Sequence, residues 1–178
     1  MSGIEALSWA QVYPDEIKAI IGLDMAVPAA YEYLDINMLL VRLGAFAANT
    51  GLTRWIPNLS ESEAIKYGTL TDEEKELYRS IFYRRTSTKD MINEIKNIKE
   101  NAQKVKEAET PNVPILLFSS NGQETGFDEK MWIEIQNTFS NKNDNVRQIE
   151  LDSSHYIHNI DYRRIAEESE EFIESLNR

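Results

Sequence analysis

Both histidines of the chain, His155 and His158, lie in one short stretch, "LDSSHYIHNID". An imidazole titrates near neutral pH, so a histidine in this position can act as a general base. The run "NVRQIEL" just before it predicts a β-strand, and open α/β sheets carry catalytic groups at the ends of parallel strands. By position alone, an ordinary surface loop fits equally well.

Two acidic residues are candidate partners for such a histidine. Asp24 follows the apolar run "IKAIIGL", which predicts a first strand. A carboxylate at a strand end can orient a histidine on a neighbouring strand end and stabilise its imidazolium, or it can cap the following turn. Glu124, in the loop after the predicted strand "PILLF", is the alternative acid. Asp128 is predicted to cap the next helix.

A metal site is the weaker interpretation of the same loop. His155 and His158 have Asp152 and Asp161 nearby, but the segment has neither an HExxH pattern nor zinc-ligand spacing. The chain contains no cysteine, which excludes thiolate ligands and disulfides. The sequence therefore predicts no metal and no cofactor.

Composition limits the class of protein. The chain has 178 residues, of which 42% are hydrophobic and 10% aromatic, as expected for one folded domain or a small core with an insertion. A net charge of -11 argues against nucleic-acid binding, which requires clustered cations. No apolar run is long enough for a membrane span, and no leader pattern is visible, so a cytoplasmic protein is expected.

Strands alternate with helices at the two ends of the chain. The opening "MSGIEALSWAQV" predicts a helix, with a capping box at Ser2 and Glu5, that ends before Pro14. A strand over 17–23 follows. Later come "PILLF", the helix "FDEKMWIEIQNTF", "NVRQIEL" and the helix "DYRRIAEESEEFIESL", an order that predicts parallel pairing. The first strand is too apolar for an exposed edge, so we expect another strand to pair with it.

The middle of the chain predicts helices only. Residues 29–108 contain no convincing strand, and Thr71 with Glu74 forms a capping box before a helix. The fold class is therefore α/β, with three parallel strands and flanking helices. Residues 1–28 and 109–178 form the core, and 29–108 form an all-helical insertion.

In this order, the elements resemble the C-terminal portion of a cap-bearing α/β-hydrolase of the proline iminopeptidase-like type. The stretch "MSGIEALSWAQVYPDEIKAIIGLDMAVP" resembles the helix after the nucleophile elbow, a "YP" turn and the sixth strand. "PILLF" and "NVRQIEL" resemble the seventh and eighth strands, and "SSHYIHN" the catalytic-histidine loop. Residues 29–108 take the place of the helical cap.

The resemblance implies roles for particular residues. His155 would be the general base. Most of the family places the acid after the seventh strand, where Glu124 lies, but relatives such as haloalkane dehalogenases carry it after the sixth strand, which favours Asp24. The backbone N–H of Met1 would donate to the oxyanion.

The resemblance also places the nucleophilic serine one residue before Met1. Ser2 lies two positions beyond that serine, and at about 100° per residue its side chain would point roughly 200° away. The chain is therefore expected to be inactive alone. A misassigned start codon, a disrupted gene and an excised fragment all remain open.

The expected substrate of the completed enzyme is an ester, an amide or a small peptide, cleaved through a serine acyl-enzyme. The aromatic candidates for lining its pocket are Tyr31, Tyr33, Trp55, Tyr67 and Phe82. The alternative function is a non-catalytic helical interaction module. In that case a second copy, or a separately made N-terminal half, would complete the first strand.

Overall fold

The computed structural model describes residues 2–66 and 68–177. They form two compact units. The first consists of the residues up to Tyr33 together with those from Lys99 onward, and the second is Leu34–Ile98. The interpretation of 29–108 as a cap stays a prediction. Among the described helices, none combines the length and the apolar character needed to cross a bilayer.

The first unit contains a parallel sheet of three strands, as predicted. The strands are β1 (Ile20–Leu23), β2 (Ile115–Ser119) and β3 (Val146–Glu150), and β2 lies in the centre. β1 is shorter than the predicted 17–23, because the chain turns just before it. A 3-10 turn spans Pro14–Glu16, and the N–H of Ile17 donates to the carbonyl of Pro14.

The central strand is buried along its whole length. Leu116 and Phe118 pack in one cluster with apolar side chains from β3, the loop after it and the last helix, α7 (Tyr162–Ser175). Because side chains alternate along a strand, Ile115 and Leu117 point to the opposite face, and they too are fully buried. Both faces of the sheet are therefore covered, which explains the continuous apolar run in the sequence.

The predicted helix signals of this unit hold at most positions. The first helix, α1 (Ser2–Val12), ends before Pro14 as expected. It already includes Ser2, one residue earlier than a cap at Ser2 would place it. Helix α6 (Glu129–Asn141) contacts β2 and β3, and Asp128 caps it by accepting from the N–H of Met131 at 3.0 Å.

The second unit is helical. It contains α2 (Met38–Asn49), α3 (Glu63–Lys66), α4 (Asp72–Arg85) and the first half of α5 (Lys89–Glu107). The predicted capping box of Thr71 and Glu74 is formed. Within this unit Arg79 donates from Nε to Glu61 Oε1 at 2.7 Å, and this contact holds the pKa of the Glu61 carboxyl below its ordinary value.

Two helical glycines have opposite surroundings. A Cβ on Gly3 of α1 would lie 2.7 Å from the carbonyl oxygen of Ala26 and 3.1 Å from Met25 Cβ, so α1 can approach this segment only without a side chain there. A Cβ on Gly44 of α2 would meet nothing within 4 Å.

We therefore expect the same substitution to have opposite effects at these two positions. Gly3→Ala should lower the free energy of unfolding by about 1–3 kcal/mol, because the backbone of Ala26 has to move. Gly44→Ala should raise it by about 0.5–1 kcal/mol, because alanine loses less backbone entropy in a helix. Urea unfolding of the two variants measures both values. A neutral Gly3→Ala would contradict the close contact.

Candidate functional site

Asp24 lies directly after β1 in a constrained conformation. Its φ is +49°, in the left-handed region, where aspartate and asparagine are tolerated better than most residues. Its N–H donates to the carbonyl of Phe118 at 2.8 Å, which continues the pairing of β1 with β2 for one more residue. The residue is fully buried.

Three donors surround the Asp24 carboxylate. Oδ1 accepts from the backbone N–H of Ser120 at 2.8 Å and from the indole Nε1–H of Trp132 at 3.0 Å. Oδ2 lies 2.6 Å from Nδ1 of His155. Burying a carboxylate is costly unless its oxygens are hydrogen-bonded, and here both of them are.

His155 is held from several sides in the loop after β3. Its backbone N–H donates to the carbonyl of Gln123 at 2.9 Å. Its ring stands edge-on to Trp132, with 6.0 Å between the centroids, and lies 5.1 Å from the ring of Tyr156. The side chain is about one-third exposed, 32%. When Nδ1 carries the proton and donates to Asp24, Nε2 is left as the acceptor nitrogen.

The structure thus brings together two candidate residues that lie 131 positions apart in the sequence. Of the two acids left open by the sequence, Asp24 contacts Nδ1 at 2.6 Å. Glu124 lies in an exposed stretch of the loop after β2, with a φ of +63°. A partly exposed imidazole that is bound to a buried carboxylate can accept a proton at Nε2, and the carboxylate then stabilises the resulting positive charge.

The second histidine has a different environment. His158 is exposed on a 3-10 turn, Ile157–Asn159, with its ring 6.1 Å from that of Tyr156. Within residues 2–66 and 68–177, no group of three or more His, Cys, Asp or Glu side chains could hold a metal ion. The geometry therefore gives the metal interpretation of this loop no support.

The aromatic candidates for a substrate pocket are spread over both units. Tyr31 is buried and lines a cavity of about 190 Å³ with Pro28 and Ala102. Tyr33 is exposed in the same unit. In the second unit, Trp55 is 87% exposed.

Another candidate, Phe82 of the second unit, is half-buried and stands edge-on to Tyr83 at 5.3 Å. Tyr67 lies outside the described residues. So does Met1, whose backbone N–H is the predicted oxyanion donor. The pocket assignment stays a prediction.

Sequence reasoning missed two partners of Asp24. Trp132 is buried at 1% exposure, and its N–H also donates to the carboxylate. A buried indole N–H usually finds an acceptor, which was the available signal. The backbone N–H of Ser120 carries no signal in the sequence.

The geometry predicts the tautomer of neutral His155. Asp24→Asn keeps an acceptor for Ser120 and Trp132 and tolerates the positive φ, but it presents an N–H to Nδ1. The neutral ring should therefore change from the Nδ1–H to the Nε2–H tautomer. Ring ¹⁵N chemical shifts measure this change, and His158 is the internal control. An unchanged His155 tautomer would contradict the bond to Asp24.

Comparison with known proteins supplies relatives of two kinds. No protein family model matches the chain. The uncharacterized protein YbdG of Bacillus subtilis (strain 168) is 36% identical over 125 residues, which are 67% of this chain and 38% of YbdG. The match therefore spans well under half the length of that relative.

One solved structure gives the fold. A crystal structure of DbjA, a haloalkane dehalogenase, is similar with a TM-score of 0.56 at 14% identity, over 98% of this chain and 66% of DbjA. The enol-lactonase from Burkholderia xenovorans LB400 is more distant, with a TM-score of 0.45 at 18% identity, over 99% of this chain and 62% of that protein. With its three parallel strands and flanking helices, the chain has a partial α/β-hydrolase fold.

Proposed function

We propose that this chain is the C-terminal part of a serine hydrolase that cleaves an ester, an amide or a small peptide through an acyl-enzyme. The observation that carries the proposal is the 2.6 Å contact between the fully buried Asp24 carboxylate and Nδ1 of His155. Such a pair is two thirds of a hydrolytic triad. The serine would come from the segment that precedes Met1.

The chemistry assigned to the pair has two proton transfers in each half of the reaction. As the serine oxygen attacks the substrate carbonyl, Nε2 of His155 accepts its proton. The imidazolium then gives that proton to the leaving alcohol or amine, so the base is regenerated in the acyl-enzyme. Asp24 stays ionised and stabilises the imidazolium in both steps. Water then attacks the carbonyl of the acyl-enzyme and gives a proton to Nε2 of His155. That proton passes to the serine oxygen as the acyl–serine bond breaks and the acid product leaves.

The position of α1 supports this assignment. Gly3, in its first turn, packs against Met25 and Ala26, the two residues that follow Asp24. The N-terminal end of α1 is therefore near the buried acid, and free N–H groups at a helix start favour negative charge. We propose that the backbone of Met1 donates to the oxyanion.

The open edge of the sheet supports completion by a further strand. β1 pairs with β2 on one side, and no described strand pairs with its other side. Apolar edge strands are prone to pair with another chain. We propose that an N-terminal segment pairs there and carries the serine, and that residues 29–108 are the helical cap insertion.

One observation favours the alternative function, a helical interaction module. In the second unit, four large apolar side chains of α2 are at least half exposed, namely Leu39, Leu40, Leu43 and Phe46. An exposed stripe of four large apolar side chains is typical of a surface that binds another molecule. The same stripe is also compatible with a cap that contacts an apolar substrate.

An activity assay on the completed protein tests the proposal. The part of YbdG outside the 125 matched residues is used as the N-terminal segment, because the two chains are 36% identical over the match. The protein obtained by joining this segment to the chain should hydrolyse p-nitrophenyl acetate. His155→Ala should then lower kcat at least about 10³-fold, since the members of a triad act as a unit.

His158→Ala is the matched control, because His158 lies in the same loop but is exposed. It should leave kcat within roughly twofold of the parent. Equal losses from both variants, or an active His155→Ala protein, would refute the assignment of His155. A completed protein that folds but hydrolyses no ester, amide or peptide substrate would instead favour the interaction module.

A further inference from the structure

Helix α6 carries two buried polar side chains, one helical turn apart. They contact Asp24 and Met25, two consecutive residues of the loop after β1. Trp132 Nε1–H donates to Asp24 Oδ1 at 3.0 Å. Gln136 Nε2–H donates to the carbonyl oxygen of Met25, also at 3.0 Å. The two donors are 1% and 0% exposed.

Both contacts hold the loop at its most constrained point. A φ of +49° is unfavourable for a residue with a side chain, and such conformations persist only where their surroundings enforce them. The side chain of Met25 is also held in place, because it packs over Gly22. A Cβ on Gly22 would lie 2.8 Å from Met25 Sδ.

The same helix also contacts the histidine. The Trp132 ring stands edge-on to His155 at 6.0 Å and stacks on Phe127 at 5.4 Å. Trp132 therefore touches both members of the pair, with its N–H on the acid and its ring beside the base. A shift of the carboxylate would directly weaken its hydrogen bond with Nδ1, which lies only 2.6 Å from Oδ2.

We infer that Trp132 and Gln136 are positioning residues for the acid. Together they fix Asp24 and Met25 so that Oδ2 faces His155. The effect inferred on catalysis rests on the proposed function, whereas the effect on the Asp24–His155 bond does not. Neither residue touches the reacting atoms.

A purely structural role would give a different result. If Trp132 only fills the core, its N–H merely needs some acceptor, and the bond between Asp24 and His155 should survive the loss of that N–H. For Gln136 the two roles separate further. Its Oε1 is buried without a hydrogen-bond partner among the described residues, so an apolar replacement removes an unsatisfied acceptor as well as a useful donor.

The experiment measures solvent exchange of the Nδ1 proton of His155 by NMR, in the full chain. Trp132 is replaced by benzothienylalanine, which keeps the ring shape and lacks the N–H, and Gln136 by methionine. Each variant should speed exchange of the Nδ1 proton by about 10-fold, because the carboxylate loses a fixed neighbour. Gln136→Met should do so with little change in the urea midpoint.

Ile135→Val is the matched control. Ile135 lies between the two residues on α6 and is 7% exposed, but it donates no side-chain hydrogen bond. Ile135→Val should lower the free energy of unfolding, and the Nδ1 proton should exchange faster only as far as that lower stability accounts for. Exchange in both polar variants equal to that in Ile135→Val would overturn the inference.

A second measurement needs no substitution. The chain has three tryptophans, so their indole protons can be followed individually. The Trp132 indole proton should exchange slowly with solvent, because its N–H donates to the buried Asp24 carboxylate, while that of exposed Trp55 should exchange fast. Fast exchange of the Trp132 indole proton would overturn the inference.

The failure of this inference can be told apart from failure of the proposed function. In the completed enzyme, the Trp132 replacement should lower kcat by about 10-fold with KM within roughly twofold. An active enzyme that depends on His155 but not on Trp132 would refute the positioning role alone. An inactive enzyme with the expected NMR changes would refute the function alone.

Discussion

The hydrogen bond between Asp24 and His155 joins the N-terminal and the C-terminal segment of the first unit, and it depends on a fully buried carboxylate. Removing a carboxylate from water costs several kcal/mol even after the protein relaxes. Hydrogen bonds to a charged group contribute about 1.5–3 kcal/mol each, so a single partner would not offset that cost. The three donors around Asp24 together can.

The order of the strands supplies those donors. β2 lies between β1 and β3, and its register places Leu23 beside Phe118 and Ser119 beside Glu150. All three strands therefore end at the same edge of the sheet. The acid follows the first strand, the donor Ser120 follows the second, and the base follows the third. Burial of the large apolar side chains of β2, at about 1.5–3 kcal/mol each, holds this arrangement in place.

Sequence patterns anticipated the elements whose signals are local. The parallel strands, the capping box at Thr71 and the cap at Asp128 follow from apolar runs and from side chains within three residues of each other. Pairing Asp24 with His155 as candidates rested on the order of strands, because the ends of parallel strands meet at one edge.

The sequence could not decide matters that depend on distant contacts. The resemblance favours Asp24 over Glu124, but only the position of the imidazole ring, which lies 131 residues away, shows the contact with Asp24. The hydrogen bond of Trp132 spans 108 residues, and an apolar helix face gives no acceptor for it. The first strand begins later than predicted, at Ile20 instead of residue 17. The 3-10 turn at Pro14 extends to Ile17, whose N–H donates to the carbonyl of Pro14 and not to β2.

The central claim is that His155 and Asp24 serve a serine outside this chain. Labelling of the completed protein by a fluorophosphonate, followed by peptide mass spectrometry, tests it most directly, because the reagent reacts with an activated serine. The account predicts a single labelled serine in the N-terminal segment, with labelling slowed at least about 10³-fold by His155→Ala. Labelling at Ser2, or labelling that is unaffected by His155→Ala, would contradict it.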